Sequence, residues 1–92
     1  MAERVVVVGS RVGLHARPAA LFVKAASEQP VPVRIRKADG GSASVDARSM
    51  LRVLALGAKG GDAVVLEADG DGAEAALDAL TAVLEADHDT DA

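Results

Sequence analysis

Apolar residues recur along the chain with two different periods, and the shorter period marks strands. Short apolar or β-branched runs at residues 4–8, 33–36 and 63–68 predict three strands, of which 33–36 alternates apolar with basic side chains. Residues 42–45 follow the turn sequence Asp39-Gly40-Gly41, which is typical of a hairpin. We therefore expect residues 42–45 to form a fourth strand that returns antiparallel to 33–36.

The longer period, about 3.6 residues, marks three helices. In residues 16–27 and 73–86 the apolar side chains fall on one helix face. Residues 49–56 are rich in Met, Leu and Val, and Gly57 follows where a helix commonly ends. The predicted order is βαββαβα, an α+β fold in which three helices cover one face of a four-stranded sheet.

The length of 92 residues indicates one small domain. Residues 1–86 carry all the periodic segments, and we assign them to this domain. Residues 87–92 are acidic, small and aperiodic, so they are predicted to form a flexible C-terminal tail. His88, which lies in this tail without a neighbouring nucleophile, is interpreted as a solvated residue.

Composition excludes several classes of function. With 14 acidic and 10 basic residues the net charge is −4, which argues against a broad nucleic-acid-binding surface. The chain has no cysteine and only two distant histidines, so we expect no metal site and no bound cofactor. No apolar run approaches the roughly 18 to 20 residues of a membrane span, and Glu3 and Arg4 interrupt the N-terminus. We expect a cytoplasmic protein without direct membrane insertion.

The candidate chemistry lies at the start of the first helix, where His15 follows a glycine. Backbone N–H groups in a first helical turn have no partner within the helix, and they attract anions such as phosphate. They also disfavour protonation of a nearby imidazole, which keeps it nucleophilic. Ala16 and Arg17 would offer their N–H groups, the Arg17 guanidinium could neutralise phosphate charge, and Pro18 suits a first turn.

Two blocks of sequence resemble the HPr family of histidine-containing phosphocarriers from the bacterial phosphoenolpyruvate-dependent sugar phosphotransferase system. Gly13-Leu14-His15-Ala16-Arg17-Pro18-Ala19-Ala20, followed by Phe22-Val23-Lys24, is similar to the family's active-site segment. Ala47-Arg48-Ser49-Met50-Leu51-Arg52-Val53-Leu54-Ala55-Leu56-Gly57 is similar to its regulatory-serine helix. The resemblance implies an open-faced β-sandwich with antiparallel strand order 1-4-2-3.

The resemblance also implies a function for His15. The Nδ1 atom of His15 would accept a phosphoryl group from phospho-enzyme I, which is charged by phosphoenolpyruvate, and pass it to sugar-specific IIA domains. The protein would be a carrier and not a complete enzyme. A phosphohistidine suits such a relay, because transfer needs positioning and charge stabilisation more than a deep catalytic pocket.

Ser49 has two interpretations. A serine at a helix start caps free N–H groups and stabilises the helix by about 1 kcal/mol. The resemblance implies in addition that an ATP-dependent HPr kinase/phosphorylase phosphorylates Ser49 in some bacteria, with a transcriptional regulator as a further partner. The sequence leaves open whether this organism has that kinase.

Partner docking is assigned to exposed side chains of the first two helices. The resemblance implies that Met50 and Leu51 project outward, and a positive rim would steer acidic partners despite the net negative charge. The predicted docking residues are Ala20, Lys24, Met50, Leu51, Arg52 and Leu54. Small transient docking surfaces suit a monomer.

Two alternatives remain open at this point. A paralogous carrier in a nitrogen-regulatory or dihydroxyacetone-kinase relay would keep His15 and change its partners. A regulatory binding module would use phosphorylated Ser49 and leave His15 without a role. The sequence does not identify the sugars.

Overall fold

The computed structural model describes residues 2–9, 16–40 and 43–86. Within them the chain forms four strands and three helices in the predicted order βαββαβα. The elements are β1 (Ala2–Val7), α1 (Ala16–Ser27), β2 (Val33–Lys37), β3 (Val45–Asp46), α2 (Met50–Ala55), β4 (Ala63–Ala68) and α3 (Ala73–Glu85).

The strands form one antiparallel sheet with the order β1-β4-β2-β3. β4 lies between β1 and β2, with Val5 opposite Val65 and Ile35 opposite Leu66. β3 pairs only with β2, through Ile35↔Val45 and Arg34↔Asp46. The predicted α+β class and the 1-4-2-3 order are confirmed.

The two faces of the sheet differ in what covers them. Side chains that alternate toward the helices are almost fully buried; Val6, Ile35 and Val64 have exposed fractions of 1% or less. On the other face Val5 is 71% and Val7 is 55% exposed. Because the described helices cover one face alone, the sheet is an open-faced sandwich.

The core lies between the sheet and the helices. Phe22 of α1, the one aromatic residue of the chain, is fully buried there, together with Leu77 and Leu80 of α3. α1 packs against both α2 and α3. This arrangement leaves the outer faces of α1 and α2 on the protein surface.

The limits of several elements differ from those predicted, and pairing explains the strands. β1 spans Ala2–Val7, whereas residues 4–8 were predicted. The strand begins two residues earlier and ends one residue earlier because it pairs along the whole of β4. The prediction of a strand at 42–45 is wrong in its limits: of residues 43–46 only Val45 and Asp46 pair with β2, and Ser42 lies outside the described residues.

The limits of β2, α2 and α3 differ from the predicted ones by one residue at one or both ends. β2 continues to Lys37, because this residue still pairs with Val64 of β4. In α2, Ser49 and Leu56 are the capping residues on either side of Met50–Ala55. α3 ends at Glu85, where Ala86 turns to extended backbone with a ψ of 141°.

Candidate functional site

The first turn of α1 carries those residues of the candidate anion site that the structure describes. The helix begins at Ala16, Arg17 is exposed in the first turn, and Pro18 is buried. Proline has no N–H, and in a first turn its absence removes no helical hydrogen bond. The N–H groups of Ala16 and Arg17 stand where a helix offers no internal acceptor. His15 itself lies outside the described residues.

The exposed face of α1 connects Arg17 with the rest of the predicted docking surface. Residues three, four and seven positions after Arg17 share its side of a helix, and these are Ala20, Leu21 and Lys24. All four are exposed, since the opposite face is buried in the core. Leu21, which is 37% exposed, was missing from the predicted docking residues, although this spacing identifies it.

Ser49 caps α2. Its backbone is extended (φ −98°, ψ 106°), and its Oγ accepts a hydrogen bond from the backbone N–H of Arg52 at 3.4 Å. α2 has no acidic side chain in its first turn that could also compensate the free N–H groups. The capping interpretation of Ser49 is therefore observed.

The outward side of α2 differs in part from the expected one. Leu51 is 78% exposed, Leu54 is 38% exposed and Arg52 is exposed. Met50, which was expected to project outward with Leu51, is half-buried and packs against the core. The reason is the helical period: Met50 lies three residues before Val53, the buried residue of α2, and shares its side.

An ion pair precedes the cap of α2. The Asp46 carboxylate accepts hydrogen bonds from Nε and Nη2 of Arg48 at 3.2 and 3.3 Å, and from the Arg48 backbone N–H at 2.9 Å. These contacts and the Arg48 charge hold the pKa of Asp46 below its usual value. The Ser49 backbone N–H donates to the Asp46 carbonyl at 3.1 Å, which holds the cap beside this pair.

Gly9 holds the end of β1 close to the end of α3. Its N–H donates to the Leu84 carbonyl at 2.8 Å, and a Cβ atom on Gly9 would lie 2.0 Å from the Glu85 carbonyl oxygen. Gly9 is the last described residue before residues 10–15. The sequence did not identify this position, because the contact depends on how α3 ends in space.

None of the helices within residues 2–9, 16–40 and 43–86 has the length and apolar character needed to cross a membrane.

Comparisons with known proteins agree with the observed fold and also give a matching family. Residues 2–86 match the family described as PTS-HPr, PTS HPr component phosphorylation site. The phosphocarrier protein HPr of Streptomyces coelicolor is 60% identical over 80 residues, which cover 87% of this chain and 84% of that protein.

Solved structures are similar as well. HPr-C-His from Thermoanaerobacter tengcongensis superposes with a TM-score of 0.83 at 38% identity, covering 92% of each chain. A structure described as an HPr dimer from the same organism has a TM-score of 0.69 at 38% identity and covers 92% of this chain and 94% of that one.

Proposed function

Because the chain belongs to the HPr family of phosphocarriers of the phosphotransferase system, we propose that its His15 accepts a phosphoryl group from phospho-enzyme I and passes it to sugar-specific IIA domains. The observation that carries this proposal is the position of the family match. Residues 2–86 match a family described by its phosphorylation site, and His15 is the one histidine among them, since His88 follows the matched segment.

The chemistry is a transfer between two imidazoles. The Nδ1 lone pair of His15 attacks phosphorus, the N–P bond of the donor breaks, and the donor imidazole takes back its electron pair. The Nε2–H of His15 gives up its proton to solvent and the departing donor ring takes one up, so that both rings end neutral. The reverse sequence at a IIA domain returns His15 to its neutral form. Both steps need a neutral nucleophile and a positive environment for the phosphoryl oxygens.

Arg17 is the proposed source of positive charge at the phosphoryl group. It stands two residues after His15, in the first turn of α1, with an exposed side chain. Guanidinium binds phosphoryl oxygens with two parallel hydrogen bonds, and the N–H groups of Ala16 and Arg17 would add backbone donors. We assign Arg17 to charge stabilisation during transfer.

The exposed faces of α1 and α2 are the proposed docking surface for enzyme I and the IIA domains. Leu51 and Leu54 provide exposed apolar area on α2, next to the helix that carries Ala20, Leu21 and Lys24. Arg17, Lys24 and Arg52 contribute positive charge to these faces. Met50, being half-buried, contributes less surface than Leu51. We place the carrier in the cytoplasm and propose that it works as a monomer, because small transient docking surfaces suit one.

The two histidines of the chain permit a matched test of the carrier role. The protein is incubated with purified enzyme I and phosphoenolpyruvate labelled with ³²P, and acid-labile label on the protein is counted. We expect label on wild-type protein and on the His88→Ala variant, and none on His15→Ala. Label that persists in His15→Ala, or its absence from wild-type protein, would refute the proposal.

The donor's identity is tested in the same assay. Enzyme I from the sugar system and its counterpart from a nitrogen-regulatory relay are supplied separately, together with the donor of a dihydroxyacetone-kinase relay. We expect the sugar-system enzyme I to give the highest kcat/KM. A higher value with another donor would assign the carrier to that relay.

We further propose that phosphorylation of Ser49 regulates the carrier. Ser49 is half-buried at the start of α2, beside the proposed docking surface, so a phosphoryl group there would change the charge that partners meet. The proposed donor is ATP with an HPr kinase/phosphorylase, and a transcriptional regulator is the proposed additional partner. Incubation of wild-type and Ser49→Ala protein with this kinase and ATP tests it: acid-stable phosphate on wild-type protein alone is expected, and equal labelling of both would refute it.

A further inference from the structure

Ser49 opens onto a cavity that two arginines share. The cavity has a volume of about 330 Å³ and lies where β2, β3 and α2 meet. A phosphoryl group fits in this space. The lining residues are Arg34, Ser44, Val45, Asp46, Ser49 and Arg52.

The two arginines reach this cavity from different elements. Arg34 alternates with the buried Val33 and Ile35 of β2, so its side chain leaves the sheet on the open face. Arg52 stands one helical turn after Ser49 on α2. Their convergence on Ser49 therefore depends on the fold and is not visible as a sequence motif.

Neither guanidinium is occupied by a carboxylate of the described residues. Arg34 donates from Nε to the Ser44 Oγ at 3.1 Å and from Nη2 to the Ser44 carbonyl at 2.6 Å, both neutral acceptors. Arg52 forms no ion pair with a carboxylate of residues 2–9, 16–40 and 43–86. A dianion would be a stronger acceptor than any of these groups.

Asp46 is the one carboxylate that lines the cavity, and Arg48 holds it. The contacts at 3.2 and 3.3 Å from the Arg48 guanidinium and at 2.9 Å from its backbone N–H use both oxygens of Asp46. Its charge is thus compensated mainly by Arg48, which lies outside the cavity lining, with a smaller contribution from the charge of Arg34. The two arginines of the cavity remain as the groups that can compensate a second anion.

We propose that Arg34 and Arg52 together hold the phosphoryl group of phosphorylated Ser49 in this cavity. This inference deepens the proposed regulation at Ser49 and rests on that proposal for its role in the cell. The phosphate is received by one side chain from the sheet, Arg34, and one from the helix, Arg52.

Charge explains what this arrangement does. A phosphoserine carries about −1.5 to −2 charges at pH 7, close to the sum of the two guanidinium charges with opposite sign. Arg52 belongs to the proposed docking surface, where its positive charge would attract acidic partners. When Arg52 turns to the phosphate it no longer offers that charge to a partner, so phosphorylation weakens docking through a residue other than Ser49.

The experiment measures the second pKa of the phosphoserine by ³¹P NMR. Phosphoserine is incorporated at position 49 of the full chain during synthesis, which makes the test independent of the kinase and of transfer at His15. Titrations are compared for the otherwise wild-type chain and for Arg34→Gln, Arg52→Gln and Arg36→Gln. Arg36 is the matched control, because it lies on the same sheet face, pairs with Glu67 at 3.2 Å and does not line the cavity.

Arginines that hold the dianion favour its charged form and lower its pKa. We expect the midpoint in the Arg34→Gln and Arg52→Gln proteins to lie above that of the unsubstituted phosphoprotein by about half a pH unit. Arg36→Gln should leave the midpoint unchanged. Equal midpoints in all four proteins, or a shift in only one of the two cavity variants, would overturn the two-arginine site.

A second measurement needs no arginine substitution, so it tests the proposal even if the variants fold poorly. In the wild-type chain the ¹⁵N–¹H resonances of the Arg34 and Arg52 Nε–H groups are recorded with serine and with phosphoserine at position 49. Both resonances should move downfield with phosphoserine, while that of Arg36 stays in place. Unmoved Arg34 and Arg52 resonances would overturn the proposal, and they would leave the carrier role of His15 untouched because the ³²P assay tests that separately.

Discussion

At the scale of single residues, Gly9 shows how a backbone contact restricts the side chain. A methyl group at this position would lie 2.0 Å from the Glu85 carbonyl oxygen, so the end of β1 or of α3 would have to move. We expect Gly9→Ala to lower the free energy of unfolding by roughly 2 kcal/mol or more. Urea unfolding followed by circular dichroism measures this.

Gly40 provides the comparison for Gly9. A Cβ there meets open space, and its φ of +79° is a conformation that asparagine tolerates. Gly40→Asn should therefore cost about 1 kcal/mol at most. Equal losses in the two variants would show that the contact with Glu85 does not determine the role of Gly9.

Ser49 supplies a second prediction at this scale, concerning its cap. Removal of the Oγ in Ser49→Ala leaves the Arg52 N–H without its acceptor and should lower the free energy of unfolding by about 1 kcal/mol. Ser49→Asp keeps an N-cap oxygen and should remain near wild type. The control is Ser27→Ala, since the Ser27 Oγ donates to the Val23 carbonyl at the exposed end of α1 and its loss should cost no more than about 0.5 kcal/mol. Thermal unfolding of the four proteins distinguishes a cap from a surface hydroxyl.

At the scale of elements, the connection from β3 to α2 should make stability depend on pH. Arg48 lowers the pKa of Asp46 from the usual 3.8, so the ion pair stabilises the folded protein above that pH. This stabilisation is lost as the pH falls below 3.8 through the folded-state pKa. The difference in unfolding free energy between wild type and Asp46→Asn should accordingly be constant from pH 5 to 7 and shrink below about pH 4.

The measurement is urea unfolding at several pH values for wild type, Asp46→Asn, Arg48→Gln and the double variant. Arg48→Gln removes the guanidinium and keeps the backbone donor, so it should reduce the pH dependence without abolishing it. The double variant should behave like Asp46→Asn. A difference between wild type and Asp46→Asn that persists unchanged at pH 3 would contradict the assignment of this pH dependence to Asp46.

A comparison of predicted and observed elements shows which of them the sequence alone determines. Helix limits followed from local signals: α1 was placed at residues 16–27, and Gly57, with a φ of +67°, ends α2 as its sequence position indicated. β3 was misplaced, because a two-residue strand is determined by its partner β2 and not by its own pattern. The strand order came from the resemblance, since alternation alone does not say which strands are neighbours.

In the candidate site, too, some features followed from the sequence and others required the folded structure. The spacing of α1 predicted which helix face packs on the core, and the predicted docking residues Ala20 and Lys24 lie on the opposite, exposed face. The outward position of Met50 was taken from the resemblance, whereas in the six-residue α2 of this chain Met50 is half-buried because it shares the side of the buried Val53. The cavity of Arg34 and Arg52 joins residues from two elements, so only the folded chain reveals it.

At the scale of the whole molecule, the carrier has two differently charged surfaces under a net charge of −4. Arg36 and Arg4 are paired with acidic side chains, Arg36 with Glu67 on the open sheet face and Arg4 with Glu74 of α3. Lys24 and Arg52 instead stand on the exposed faces of α1 and α2. Positive side chains are thus available to a partner on the helical side, next to the first turn of α1.

This distribution predicts that docking depends on where a charge lies and not on how many charges the chain has. Lys24→Gln and Arg52→Gln should each lower kcat/KM for phosphoryl transfer from enzyme I by about twofold to fivefold, as expected for an exposed ion pair of up to about 1 kcal/mol. Arg36→Gln changes the net charge equally and should leave kcat/KM unchanged. Because exposed charges are screened by salt, the losses should diminish between 50 and 500 mM ionic strength. Equal losses in all three variants would mean that net charge controls the encounter, and the helical side would then lose its proposed role in docking.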